Sequence, residues 1–136
     1  QAQLLRRELN LLRNIQHDNI VRLLGLYMDN GDIYHVTEFC GEPLRTKIEQ
    51  GQYSMDHAKK WTRELLRALQ HLHSMIIHRN MHTGNMCIDA NNKLILLGFG
   101  KARIMESRKS MTAITGTHPY MPIELMVEWK GAYDKK

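Results

Sequence analysis

The side chains best suited to chemistry lie in a short polar loop, His78 to Asn85. Its sequence is His-Arg-Asn-Met-His-Thr-Gly-Asn, which is too irregular for a strand and combines ring nitrogens, a guanidinium group and amides. Apolar segments flank it on both sides, and a polar loop held between rigid elements is where catalytic groups tend to sit. We therefore interpret this loop as the candidate functional site.

Two simpler kinds of site can be considered for these residues. Four histidines, His71, His73, His78 and His82, lie close in sequence, as zinc ligands often do. His71 and His73, however, fall on different sides of the helix predicted to precede the loop. A Ser/His/Asp triad lacks the nucleophile-elbow motif that would support it. We favour neither a zinc centre nor a triad.

The elements expected to position the loop are a long helix before it and a hairpin after it. Ser54 is a good N-cap for a helix that ends near Met75. After the loop, strands over residues 86–88 and 94–97 are predicted, joined by the turn Asp89-Ala90-Asn91-Asn92. The helix carries one apolar stripe, which we interpret as a core face. That stripe consists of Trp61, Leu65, Ala68 or Leu69, Leu72 and Met75.

The first part of the chain predicts the remaining elements. Helical spacing of leucines indicates an amphipathic helix that ends near Asn14. Apolar runs over residues 20–28 and 33–39, separated by Asp-Asn-Gly-Asp, predict a hairpin. A short helix over residues 43–50 is expected to end at Gly51. Helices and antiparallel strands in this order predict an α+β fold.

Composition excludes several classes of function. The 136 residues allow at most one domain, and 43% hydrophobic with 24% charged residues is typical of a globular chain. The net charge is +5, but the basic residues are scattered, which favours a solvated surface over a nucleic-acid site. No stretch approaches the roughly 20 apolar residues of a membrane span. We expect no binding to nucleic acid or membranes.

The two cysteines, Cys40 and Cys87, form no spaced motif. Reduced, buried thiols are the ordinary state of such residues in the cytosol or nucleus, so we expect a cytoplasmic or nuclear protein. The N-terminus has no secretory segment and no initiator Met, which leads us to expect a piece of a longer chain.

The loop His78-Arg79-Asn80-Met81-His82-Thr83-Gly84-Asn85 and the later Gly98-Phe99-Gly100 resemble the catalytic centre of the eukaryotic protein kinases. In that family the two motifs read H-R-D-[LIM]-K-x-x-N and D-F-G. The resemblance implies that Asn80 stands at the position of the catalytic Asp, and Gly98 at that of the Asp that holds magnesium. His82 stands at the position of a Lys beside the γ-phosphate.

Other residues of the two motifs match the family pattern. The resemblance implies that Asn85 is kept as the second metal ligand. It also implies that His78 is a structural residue packing under Phe99. Arg79 is kept, although the Asp that normally follows it is not.

The rest of the chain is similar to the same family. Glu8 matches the αC glutamate, which in the family pairs with a Lys on the strand before it. Thr37-Glu38-Phe39-Cys40-Gly41 resembles the hinge, with Thr37 as gatekeeper. The resemblance implies that Thr37, Glu38 and Cys40 border the nucleotide and that Cys87 lies in the floor under the adenine. Hinge contacts to adenine are mostly main-chain, so a slot for adenine could persist.

Residues 101–121 have weak periodicity and many Ser, Thr, Arg and Lys residues, and we predict a mobile loop there. Residues 116–124 resemble the G-T-x-x-Y-x-A-P-E stretch that closes the kinase activation segment, with Thr117 typical of the Ser/Thr class and Glu124 kept. Thr112 matches the Thr of the T-x-Y switch of the mitogen-activated group, whose stress-activated branch the chain resembles most. We expect phosphorylation of Thr112, if it occurs, to change partner binding.

The resemblance thus implies a partial protein-kinase-like α+β fold over residues 1–136. This part begins with the αC helix and the hinge hairpin. It continues into a mainly helical portion of the C-lobe that holds the catalytic loop and the activation segment. The Gly-rich loop, the β3 Lys and the αF helix onward fall outside it.

We expect a catalytically inactive pseudokinase that acts in kinase signalling by binding a protein partner, such as an active kinase or its regulators. We expect weak or no ATP binding and no use of magnesium. The alternatives are a Ser/Thr kinase completed by a longer chain, and a non-functional gene fragment.

Overall fold

The computed structural model describes residues 13–104 and 117–121. Within them lie two helices and seven short strands, which confirm the α+β class. In chain order these are β1 (Leu23–Asp29), β2 (Asp32–Thr37), β3 (Glu42–Pro43), α1 (Leu44–Glu49), α2 (Met55–Leu72), β4 (Ile76–Ile77), β5 (Met86–Ile88), β6 (Leu94–Leu96) and β7 (Arg103–Ile104). Arg13 and Asn14 are helical, in agreement with a helix predicted to end near Asn14.

Strands β1 and β2 form the predicted antiparallel hairpin. Its turn places Asn30 at φ 48° and Gly31 at φ 88°, the positive values that a tight hairpin turn requires of both central residues. Both strands are shorter than predicted. Ile20 lies outside β1 because it pairs with Leu96 of another sheet. The second strand ends at Thr37, and Phe39 is 94% exposed.

Strands β3, β5 and β6 form a second antiparallel sheet, which contains the predicted hairpin. The carboxylate of Asp89 accepts hydrogen bonds from the backbone N–H groups of Asn91 and Lys93, both at 2.9 Å, and so closes the β5–β6 turn. Leu97 was predicted in the strand but lies beyond it, where its N–H donates to the carbonyl of Asn85 at 2.9 Å. This bond ties the end of β6 to the candidate loop.

Helix α2 begins with a capping box between Ser54 and His57. The Ser54 hydroxyl accepts from the His57 N–H at 3.2 Å, and the His57 ring accepts from the Ser54 N–H at 3.3 Å. The predicted apolar stripe faces the core. Trp61, Ala68 and Leu72 of this stripe are buried, and Leu65, Leu69 and Met75 pack against the core cluster. The helix stops at Leu72, three residues before the predicted end.

Three strands were missed by sequence reasoning. Strand β3 contains Pro43, which was predicted to begin the short helix that instead starts at Leu44. Strand β4 follows α2, and it pairs antiparallel with β7, at the start of the predicted mobile loop. The prediction of a loop from Lys101 was therefore wrong for Arg103–Ile104, while residues 105–116 lie outside the described part. Two-residue strands are too short to show any periodicity, so only the pairing reveals them.

The core lies between α2 and the three-stranded sheet. Leu72, Leu94 and Leu96 are almost completely inaccessible, and Ile20 and Leu44 join them from the hinge side. The candidate loop sits at one end of this core, held between β4 and β5. Within the part of the chain that the structure describes, no helix is long and apolar enough to cross a membrane.

Leu72 and Leu66 lie on the same helix with opposite exposure, 0% and 59%. Leu72→Ala is expected to lower the free energy of unfolding by about 2–5 kcal/mol because it removes packed atoms and leaves a cavity. Leu66→Ala, the matched control, is expected to change it by about 0.5 kcal/mol or less. Urea unfolding followed by circular dichroism measures both, and equal losses would contradict this placement of the core.

Candidate functional site

The side chain of His78 holds the candidate loop in place. Its side chain is buried, with 4% exposure, and Nε2 lies 2.7 Å from the carbonyl oxygen of Leu97. Nδ1 accepts from the N–H of Asn80 at 3.3 Å, which makes Nε2–H the donor to Leu97. The ring also meets Phe99 edge-on, with centroids 4.9 Å apart. The contact with Phe99 that the resemblance implies is therefore present.

Asn80 faces Thr117. The Thr117 hydroxyl donates to Oδ1 of Asn80 at 2.7 Å, across 37 residues of sequence. The backbone carbonyl of Asn80 accepts from Nδ2 of Asn85 at 2.9 Å. An amide oxygen accepts hydrogen bonds but has no useful basicity, so Asn80 can orient a hydroxyl without taking its proton.

Gly98 and Asn85 are packed against each other. Gly98 adopts φ 78° and ψ 39°, a left-handed conformation that favours glycine. A Cβ on Gly98 would lie 2.5 Å from both Oδ1 and Nδ2 of Asn85, well inside contact distance. The Asn85 amide thus takes the space that a side chain at position 98 would need.

These residues do not fit a magnesium ion, which the resemblance would place here. Magnesium needs an octahedral shell of oxygen atoms and usually at least one carboxylate. Gly98 supplies no ligand, and the Asn85 amide is hydrogen-bonded to the loop and packed on Gly98. Across residues 13–104 and 117–121, His, Cys, Asp and Glu form no group of three or more that could hold a metal ion. One of the four histidines, His71, instead contacts His17, with ring centroids 5.2 Å apart.

His82 makes one contact through a ring nitrogen and another through a face of its ring. Nδ1 accepts from the N–H of Gly84 at 3.1 Å, and the ring stacks on Tyr120 with centroids 5.4 Å apart. Burial lowers the pKa of His82, and the positive charges of Arg45 and Lys101 lower it further. A neutral imidazole in this position cannot replace a lysine ammonium beside a phosphate.

Arg45 and Arg79 complete the basic surroundings of the loop. Arg45 donates to the Tyr120 hydroxyl at 3.2 Å, a contact across 75 residues that no local pattern predicts. Arg79 has φ 62°, and its Nε donates to the carbonyl of Lys101 at 2.7 Å. A non-glycine residue in this conformation stores strain of about 1–3 kcal/mol, which the surrounding contacts must offset.

The segment Thr37 to Gly41, predicted as the hinge, leads from β2 into β3 of the second sheet. Glu38 pairs with Arg22, through a hydrogen bond of 3.1 Å from the Arg22 N–H and a side-chain contact of 3.5 Å. Thr37 borders a cavity of about 240 Å³ together with Leu97, Gly98 and Phe99. The structure thus brings the predicted gatekeeper next to the degenerate D-F-G motif.

Cys40 and Cys87 are neighbours in the fold, which sequence reasoning missed. Cys87 is buried as expected, but Cys40 is only half-buried. Burial and the hydrogen bond with Cys40 raise the pKa of the Cys87 thiol to about 12. No spacing rule links these positions, so only the fold brings them together.

Three predicted residues, Glu8, Thr112 and Glu124, lie outside the described part of the chain. Their roles as αC glutamate, phosphorylation site and activation-segment glutamate remain predictions.

The packing of Asn85 on Gly98 can be tested with a second glycine two residues away. Gly98→Ala is expected to lower the free energy of unfolding by about 1–3 kcal/mol, because of the positive φ and the contact with Asn85. Gly100→Ala is the matched control, because nothing lies within 4 Å of its added Cβ. Asn85→Ala in the Gly98→Ala background should restore part of the loss. Equal effects of the two glycine substitutions would contradict the packing.

His78 should make stability depend on pH. Burial lowers the pKa of His78, although its hydrogen bond to Leu97 acts in the opposite direction. Below about pH 6.5, the unfolded chain binds a proton that the folded chain does not, so the free energy of unfolding falls as the pH falls. The pKa values of His17 and His82 are lowered as well and add to this slope. Chemical unfolding between pH 7.5 and pH 5 should show that the free energy of unfolding depends less on pH in His78→Gln than in the original chain. The same pH dependence in both would exclude a buried neutral His78.

Comparison with known proteins agrees with this geometry. The family model described as protein kinase domain matches residues 1–136. The chain is 33% identical over 126 residues to the mitogen-activated protein kinase mpkC of Emericella nidulans, covering 91% of this chain and 30% of that protein. It is 32% identical to HOG1A of Wallemia ichthyophaga, covering 91% and 34%. It is 31% identical to mitogen-activated protein kinase 14 of Xenopus laevis, covering 90% and 36%.

The chain spans about a third of the length of these curated relatives. The matched family model covers the candidate loop, the hinge and the Gly98-Phe99-Gly100 motif together. The chain therefore belongs to the protein kinase family and is related to the mitogen-activated protein kinases.

Proposed function

We propose that this chain forms part of a pseudokinase, a kinase-family domain that does not transfer phosphate and acts by binding another protein. The observation that carries the proposal is the arrangement of Asn80, Asn85 and Gly98. Asn80 holds the Thr117 hydroxyl with an amide in place of a carboxylate. Asn85 fills the space beside Gly98, where the family has its metal-binding Asp.

Loss of the base and of the metal carboxylate affects separate steps of the reaction. A positioned general base contributes about 10²- to 10⁴-fold to the rate, and Asn80 cannot act as one. Catalysis of phosphoryl transfer otherwise rests on positioning and on charge neutralisation by the metal. His82, whose pKa is lowered, does not supply the positive charge of the lysine that the family has at this position. We expect negligible phosphotransfer.

Nucleotide binding is proposed to be weak or absent and independent of magnesium. The cavity beside Thr37 has a volume of about 240 Å³, smaller than the roughly 300–1,000 Å³ of typical ligand pockets. Cys87, proposed as the adenine floor, is buried. Both features reduce the surface available to an adenine ring.

The proposed activity of this domain is to bind another protein. A kinase-family domain without chemistry can still act through its surface, and the similarity to mitogen-activated protein kinases favours an active kinase or its regulators as partner. A cytoplasmic or nuclear location is proposed on the ground that both cysteines are free thiols.

A Ser/Thr protein kinase that uses ATP is the second candidate. It is favoured by the contact of His78 with Phe99 and by the presence of Asn85 at a metal-ligand position of the family. The relatives with the matches given above are named as mitogen-activated protein kinases. This candidate requires another group to take the substrate proton.

Phosphotransfer and nucleotide binding by the full-length protein distinguish the two candidates. We expect no transfer of labelled γ-phosphate to a basic protein substrate. We also expect weak ATP binding by calorimetry that is unchanged when EDTA replaces magnesium.

The control for a contaminating kinase is Asn80→Ala, which removes the contact with Thr117. Transfer that is lost in Asn80→Ala, or micromolar ATP affinity that requires magnesium, would establish the second candidate and overturn the pseudokinase proposal.

A further inference from the structure

Arg45, His82 and Tyr120 lie together beside the candidate loop, and we call them the basic cluster. Nη2 of Arg45 donates to the Tyr120 hydroxyl at 3.2 Å, and the His82 ring stacks on the Tyr120 ring with centroids 5.4 Å apart. The side chains of Arg45 and Tyr120 are exposed, and that of His82 is half-buried. The cluster therefore lies at the surface, where another molecule can contact it.

Three separate parts of the chain bring the cluster together. Arg45 belongs to α1, which packs against the turn Thr83–Asn85 that follows His82. Tyr120 is held through Thr117, whose carbonyl accepts from the Tyr120 N–H at 2.8 Å. The hydroxyl of Thr117 in turn donates to Asn80 of the candidate loop at 2.7 Å. The positions of the three side chains are thus set by the packing of these parts.

The cluster presents hydrogen-bond donors that have no acceptor. Nδ1 of His82 accepts from the Gly84 N–H at 3.1 Å, so the proton of the neutral ring is on Nε2. The Tyr120 oxygen accepts from Arg45, which leaves the O–H of Tyr120 to donate elsewhere. Arg45 has further guanidinium N–H groups as well. Across residues 13–104 and 117–121, no group accepts from these remaining donors.

The charge of the cluster is not offset by a carboxylate. Among the described residues, Arg45 takes part in no ion pair, and the acidic residue nearest to it in sequence, Glu42, is paired with Lys47 at 3.1 Å. The positive charges of Arg45 and Lys101 both lower the pKa of His82, so both act on its ring. A positive surface with unused donors favours an anion as ligand.

We propose that the basic cluster is a binding site for a phosphorylated side chain of a protein partner. The inference rests on the proposed function and specifies the chemistry of the partner. A phosphate group carries about −1.5 to −2 charges and three acceptor oxygens, which match the donors of Arg45, His82 and Tyr120. The planar guanidinium of Arg45 can bind two phosphate oxygens at once. A carboxylate has only two oxygens and one charge, so it satisfies less of the cluster.

Peptide libraries test the proposal. A degenerate library with a central phosphoserine, and matched libraries with a central serine or glutamate, are applied to the immobilised full-length protein in EDTA without ATP. We expect the phosphoserine library to be retained about tenfold more than the serine library, because hydrogen bonds to charged groups are strong. The glutamate library should be retained less than the phosphoserine library. Equal retention of the phosphoserine library and either of the others would overturn the proposal.

Substitutions locate the site of binding. Arg45→Ala and Tyr120→Phe should each remove most of the preference for phosphoserine. Arg63→Ala, which removes the same charge from an exposed position of α2, should keep the preference. Both cluster substitutions change exposed side chains, so folded protein is expected. An unchanged preference in Arg45→Ala, or an equal loss in Arg63→Ala, would overturn the assignment to the basic cluster.

Two further measurements separate this inference from its alternatives. Inorganic phosphate is titrated into the protein by calorimetry, and affinity equal to that of retained phosphopeptides would overturn a protein partner in favour of free phosphate. Phosphotransfer is assayed on the same preparation. Transfer of labelled phosphate would overturn the pseudokinase proposal, whereas the absence of any phosphoserine preference would overturn the basic cluster alone.

Discussion

The buried imidazole of His78 is the interaction on which the candidate site depends. One ring nitrogen donates to Leu97, at the end of β6, and the other accepts from Asn80, in the loop after β4. A single side chain thereby joins two segments that the sequence separates by 19 positions. Because the ring is buried, both bonds are protected from water, and losing either would leave a buried polar group unsatisfied. The position of Asn80 and the placement of Phe99 both follow from this contact.

Near His78, an amide and a glycine occupy the two positions where the family uses carboxylates, Asn80 and Gly98. The Asn80 carbonyl, the Asn85 amide and the Gly98 backbone form one packed unit. A site built to hold magnesium needs carboxylates to offset the charge of the ion, and their mutual repulsion is relieved only when the metal is present. Neutral amides satisfy one another, so the loop can be ordered without an ion. The absence of these two carboxylates therefore also removes an electrostatic cost.

The long elements and the hairpin turns were predictable because they depend on neighbouring residues. Helix α2, its cap at Ser54 and the β5–β6 turn follow from capping, period and turn chemistry, and all are present. The ends of elements were less predictable. Leu97 leaves β6 because its N–H has a better partner in Asn85, and Ile20 leaves β1 because it pairs with Leu96. In both cases a distant residue competed with the local pattern.

The candidate site was found from its residue types, but its geometry was not. The motif resemblance located Asn80, Asn85 and Gly98, yet it could not show that the Asn85 side chain fills the space beside Gly98. Nor could it place Thr117 on Asn80, Arg45 on Tyr120, or Cys40 near Cys87. The sequence by itself determined the long helix, the two hairpins, the family and the loss of the acidic groups, since these depend on residue identity and local spacing. Only the tertiary structure decided which side chains meet, because contacts across dozens of residues are set by how helices and strands pack around a shared core.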